Sequence, residues 1–126
     1  MTKTDRILAG TAGVFFLGGA MQWIFDPASA ARSLGLPLLD GLARSTEIGD
    51  LGAFFLSAAT MVLWGTATAN PMWLRAAAIM VASAALVRSI AWWIHGADFA
   101  AAFIAVEVAV AAGLSIIAAR TANHQP

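Results

Sequence analysis

Residues 84–108, AALVRSIAWWIHGADFAAAFIAVEV, set Arg88, His95, Asp98 and Glu107 within or beside two runs otherwise apolar enough to cross a bilayer. A charged group in hydrocarbon costs at least ~2.5 kcal/mol on insertion scales, so such residues persist where they are paired or functional. A guanidinium and several carboxyls at similar depth in an apolar bundle is a set suited to acid–base chemistry. A carboxylic acid held neutral donates a proton and a carboxylate accepts one. Counted at ~1.5 Å per residue, Glu107 lies deepest, roughly 12 to 14 Å from the outer end of its span, which makes it the leading proton donor.

Helical spacing gathers further residues around this group. Glu47, Asp50, Phe54, Ser57 and Met61 fall on one stripe, Arg88, Trp92 and His95 on another, and Phe103, Glu107 and Ala111 on a third. Gln22 and Asp50 lie about one turn in from the outer ends, and Arg88 about two. If the stripes face inward they enclose an apolar pocket with a few polar groups, the usual form of a small-ligand site. The reading places Glu107, Asp50, Glu47 and Arg88 in the chemistry. Trp92, Phe54, Phe103, Gln22, Met61, His95 and Asp98 become contacts to the ligand. One arginine cannot neutralise three carboxylates, so at least one carboxyl is expected as the neutral acid.

Each residue also has a structural reading. Arg88 pairs with Asp50 or Glu107 and joins two spans. His95 is a solvated turn residue, Asp98 the N-cap of the last helix, and Gln22 an interhelical hydrogen bond. The tryptophans anchor the span ends. His95 is the one histidine near the carboxylates and no paired-histidine spacing occurs, so a metal site lacks its usual ligands. No phosphate-cradling glycine loop and no nucleophile elbow is present, and the reading calls for no cofactor.

The elements that must position these residues are four membrane spans, at 7–25, 46–65, 72–94 and 99–119. They form one all-α domain over 1–126, an integral membrane four-helix bundle. The first run follows Lys3 and Arg6 and precedes Ala28-Ser29-Ala30, marks shared with secretory signals, but its length favours a retained span. Asp26-Pro27 opens a short interfacial helix over 27–34 that Gly35 closes, and Asn70-Pro71 opens the third span. Residues 36–42 stay apolar and either cover a cavity mouth or rest at the interface. His95-Gly96-Ala97-Asp98 is a tight turn and TANHQP a frayed tail. The glycines of the first span and the alanines of the last two permit close helix approach.

Composition agrees: 60% of residues are hydrophobic and 11% charged, far below the roughly 25% charge of a soluble domain. The formal net charge is zero, with no basic cluster of the kind nucleic acid requires. Absence of cysteine excludes disulfides and thiol chemistry. Lys3, Arg6, Arg75 and Arg120 on the side of the termini outnumber Arg32 and Arg44 opposite, which orients both termini to the cytoplasm.

The segments FDPASAARSLGLP, RSTEIGDLGAFFL, ALVRSIAWWIHGAD and the late VEV resemble a widespread family of small four-span bacterial membrane proteins of unassigned function, over roughly residues 7–119. The resemblance implies that Arg44, Glu47, Asp50, Arg88, Asp98 and Glu107 are that family's polar positions and that the chain sits in a bacterial inner membrane. In architecture alone the chain is similar to membrane isomerases and terpene cyclases, with no motif matched. The leading expectation is an intramembrane acid–base enzyme, an isomerase or cyclase, acting on a terpenoid or sterol in a pocket open to the outer leaflet. The alternatives are a lipid-binding or accessory subunit of a membrane complex, and, third, a small transporter or channel. The implied partners are a lipophilic small molecule or lipid, the membrane and a second copy of the chain.

Overall fold

The first, second and fourth helices begin where a polar side chain satisfies amides that a helix start leaves open. Thr2 Oγ1 accepts from the Asp5 amide while the Asp5 carboxylate accepts from the Thr2 amide, a reciprocal cap that opens α1 (Lys3–Phe25). Asp26 accepts from the Ser29 amide and Pro27 takes the first position of α2 (Pro27–Ser33), which ends where Gly35 turns to φ +74°. A connection of seven residues leads into α3 (Gly41–Thr68). There the Arg44 guanidinium donates to the Leu39 carbonyl at 2.7 Å and to Asp40 at 2.6 Å, while Glu47 Oε2 accepts from the Leu39 amide at 2.9 Å. Asn70 caps the Met72 amide ahead of Pro71 and opens α4 (Pro71–His95), which closes on Gly96 at φ +66°. The last element is α5 (Ala101–Ala122).

This is a computed structural model that describes residues 1–123, and among them it contains helices and no strand. α1, α3, α4 and α5 are each long and apolar enough to cross a membrane, with mean hydropathies of 1.5, 1.4, 1.7 and 2.3. The all-α four-helix bundle expected for a membrane chain is the fold observed.

The helices overrun the expected spans. α1 begins at Lys3 because of the Thr2–Asp5 cap, and α3 is extended at both ends to 28 residues. α5 starts at Ala101 and continues through Thr121, which is buried, so the first residues of the expected TANHQP tail are helix. Residues 124–126 of that tail lie outside the described residues.

Three packed layers stack along the bundle. At the end carrying the termini, Ala9, Val62, Leu74, Ala77, Leu114 and Ile117 meet. Mid-bundle, Phe16 and Val81 pack with Ala58, Ala59 and Ala111. At the opposite end Trp23, 1% exposed, sits under Ala30 and Ala31 of α2. Trp23 is therefore core rather than the interfacial anchor expected, because α2 folds back over it; Trp64, Trp73, Trp92 and Trp93 do project outward. α1 packs along α3 and α4 along α5, while α1 and α5 barely touch. The ring of helices is thus weakest along the α1–α5 seam.

Candidate functional site

The cavity of interest lies between the mid-bundle layer and α2, with a volume of about 380 Å³. That is near the lower end of the ~300–1,000 Å³ of pockets that hold drug-sized ligands. Phe15 and Phe16 of α1, Leu51, Phe54 and Phe55 of α3, Val81 of α4 and Val106 and Val110 of α5 form apolar walls, and Leu34 reaches in from just past α2. The aromatic pairs interlock: Phe54 and Phe55 meet edge to face at 5.5 Å between centroids, and Phe55 leans on Phe16 at 6.3 Å.

Among the described residues two charged side chains line this space, and they come together. Arg88 Nε donates to Glu107 Oε1 at 2.8 Å, joining α4 to α5. The Arg88 guanidinium carbon also sits 4.9 Å from the Phe103 ring centroid, within the range of a cation–π contact. Side-chain exposure is 37% for Arg88 and 14% for Glu107, so the carboxylate is the more deeply placed partner. Its second oxygen, Oε2, is buried and has no hydrogen-bond partner among the described residues. An acceptor left in that state carries a desolvation penalty of about 1–3 kcal/mol, and more for a charged group.

The remaining residues singled out by sequence fall elsewhere. Glu47 is turned to the Leu39 amide and fastens the connection between α2 and α3. Asp50 is exposed and forms no ion pair among the described residues, so of the two partners open to Arg88 the structure selects Glu107. Phe54 and Phe103 do line the cavity, but Met61 packs one layer away, toward the termini. Trp92 is 48% exposed and rests on Phe99 at 5.0 Å, outside the cavity. His95 and Asp98 are exposed at the turn. Asp98 does not cap α5, whose N-cap position is Ala100 with no side-chain bond; the chain runs on past Asp98 as Phe99 packs against Trp92, and the helix starts late. Gln22 lines a separate chamber of about 520 Å³ on the α1 flank, with Gly18, Gly19 and Ser33. This chamber shares Phe15, Leu34, Phe55 and Phe103 with the first cavity, so the two spaces adjoin.

Sequence reasoning missed the walls from Phe15, Phe16, Phe55 and Leu34. A signal for three of them exists: adjacent aromatics on a helix diverge by about 100°, so a Phe-Phe pair places at least one ring inside over a wide range of rotations. It also missed an ion pair at the end carrying the termini, where Arg120 Nη1 stands 3.4 Å from Asp5 Oδ1 and Asp5 is 1% exposed. No protein-family model, curated protein or solved structure matches the chain.

Proposed function

We propose that the protein takes a lipophilic molecule out of the surrounding membrane into the cavity between α2 and the mid-bundle layer and holds its polar end on Glu107. The observation that carries this reading is a buried, unpartnered oxygen, Oε2, on Glu107, a residue that lines a cavity whose walls are apolar apart from Glu107 and Arg88. Water satisfies such an oxygen poorly in hydrocarbon, whereas a ligand hydroxyl brings a donor together with apolar surface for the walls. A terpenoid or sterol alcohol has that chemistry. With both termini in the cytoplasm of a bacterial cell, the cavity faces the outer leaflet.

The reading is tested by extracting what co-purifies with the protein in mild detergent and identifying it by mass spectrometry. A discrete lipophile retained by wild type and depleted in Glu107→Gln supports it. The same bulk phospholipid in both samples sinks it and favours a structural or accessory role.

A second reading, acid–base catalysis, is favoured by the same carboxylate. In this reading Glu107, whose Oε1 accepts from Arg88 at 2.8 Å, acts first as a base, and the first step is removal of a proton. Glu107 takes a proton from a carbon activated by a carbonyl, directly or through a conjugated double bond. It then returns that proton to the far end of the delocalised anion, and the double bond moves with no net change in composition. Isomerisation fits this order of events better than a cyclisation begun by protonation. Incubation of the identified ligand in deuterated buffer separates the two: deuterium gained with wild type and not with Glu107→Gln marks catalysis, and none with either marks binding alone.

A further inference from the structure

Resting on the ligand-holding role of Glu107, we infer that the ligand is an extended single-chain alcohol rather than a compact molecule enclosed by the bundle: its hydroxyl lies on Glu107 and its chain leaves through the α1–α5 seam over Gly18. The first cavity adjoins the flank chamber, and only the side chains of Phe15, Leu34, Phe55 and Phe103, which line both, stand between them. The seam is where the helix ring is weakest, since α1 and α5 barely touch. Gly18 is exposed in the flank chamber, and a Cβ built on it meets nothing within 4 Å, whereas one on Gly19 would strike the Phe55 ring at 2.5 Å. One glycine therefore keeps the exit open and its neighbour seats the wall.

Depth determines what can emerge. Gly18 stands seven residues before the end of α1 and Glu107 six residues after the start of α5, so both lie about 9–10 Å from the α2 end of the bundle. An opening at that level of a core about 30 Å thick faces acyl chains rather than headgroups. The part of the ligand outside the bundle is then apolar, and its one polar group is the end inside.

The experiment uses the full chain in phosphatidylcholine vesicles and two photoactivatable probes: a long-chain primary alcohol with a mid-chain diazirine, and a short-chain alcohol carrying the same group. Cross-linked residues are mapped by peptide mass spectrometry, and affinity is measured by competition with the unlabelled alcohols. Glu107→Gln should weaken both probes by about tenfold or more, the equivalent of one charge-assisted hydrogen bond. Gly18→Leu, which has space to fold, should weaken the long probe by about tenfold and leave the short one unchanged, with wild-type long-probe cross-links on α1 and α5 beside the seam. Binding that needs Glu107 but is indifferent to Gly18→Leu, or cross-links confined to the first cavity, overturns the chain path and leaves the proposed function standing. Binding indifferent to Glu107→Gln, or no saturable binding of either probe, overturns both.

Discussion

The Arg88–Glu107 pair makes a prediction whose size follows from its surroundings. Replacing Arg88 with Met removes the partner of Glu107 Oε1 when Oε2 already has none among the described residues, leaving a carboxylate that is 14% exposed against apolar walls. Breaking a buried ion pair costs about 3–5 kcal/mol. The lost contact with Phe103 adds about 1 kcal/mol. Glu107→Leu should cost less, about 2 kcal/mol, since Arg88 is 37% exposed and its long side chain can carry the charge toward the polar boundary. The double variant Arg88→Met, Glu107→Leu removes both charges, and isosteric apolar replacement of a buried pair is close to neutral or stabilising. With single costs of about 4–6 and about 2 kcal/mol against a near-neutral double variant, a coupling of about 6 kcal/mol or more is expected in the cycle. Unfolding in mixed micelles titrated with sodium dodecyl sulfate, followed by tryptophan fluorescence and helical circular dichroism, measures all four proteins. If the double variant is destabilised by the sum of the singles to within about 0.5 kcal/mol, the pair is not coupled and the argument fails.

Three further outcomes follow from packing and charge. Trp23→Ala empties the space under α2 and should destabilise by about 3 kcal/mol or more in the same titration; an effect below 1 kcal/mol would mean that α2 is not seated on it. Gly19→Ala drives a methyl against a Phe55 ring already held by Phe16 and Phe54 and should cost about 1–3 kcal/mol. Gly10→Ala, with nothing within 4 Å, should gain up to about 1 kcal/mol, and equal effects at the two glycines would contradict the packing described. The Ser29 hydroxyl and amide hold the Asp26 carboxyl below its ordinary value of 3.8. The folded state therefore binds fewer protons, and the capping contribution is complete above about 3.8 and disappears as pH falls through the lower folded value. Amide exchange across α2, followed from pH 6 downward and corrected for intrinsic rates, should accelerate in that acid range in wild type and show no such step in Asp26→Asn.

The spans were legible because hydropathy over twenty residues has few other meanings, and the turns because Asp26-Pro27, Asn70-Pro71 and Gly96 act locally. The helix ends were harder. α1 begins four residues before its expected start, yet Thr2 and Asp5 carry the spacing of a reciprocal cap, so this signal was present and went unread. Asp98 carries an N-cap residue type at the expected place and does not cap, because the Phe99 ring is held by Trp92 and the chain turns later. That contact joins two elements and has no local signature.

The stripe on α3 explains why the polar cluster is smaller than its spacing implied. Steps of three and four residues average 3.5 per turn and an α-helix has 3.6, so a stripe drawn from Glu47 to Met61 slides around a straight helix by ~20° per heptad. Asp50 stands about 40° from Phe54, which is enough to leave the phenylalanine in the cavity and the carboxylate outside it. Glu47 stands nearer in angle but two turns further along, level with the connection it fastens. Met61 is displaced two turns in the opposite direction, into the layer nearest the termini. A stripe specifies a direction from the axis, whereas a cavity occupies one level of it. Arg88 and Glu107 meet because they share both direction and level on neighbouring helices, with Phe103 one turn from Glu107 completing the contact. Of the three acidic residues only Glu107 lines the cavity, while Glu47 and Asp50, on the same helix as Phe54, stand outside it.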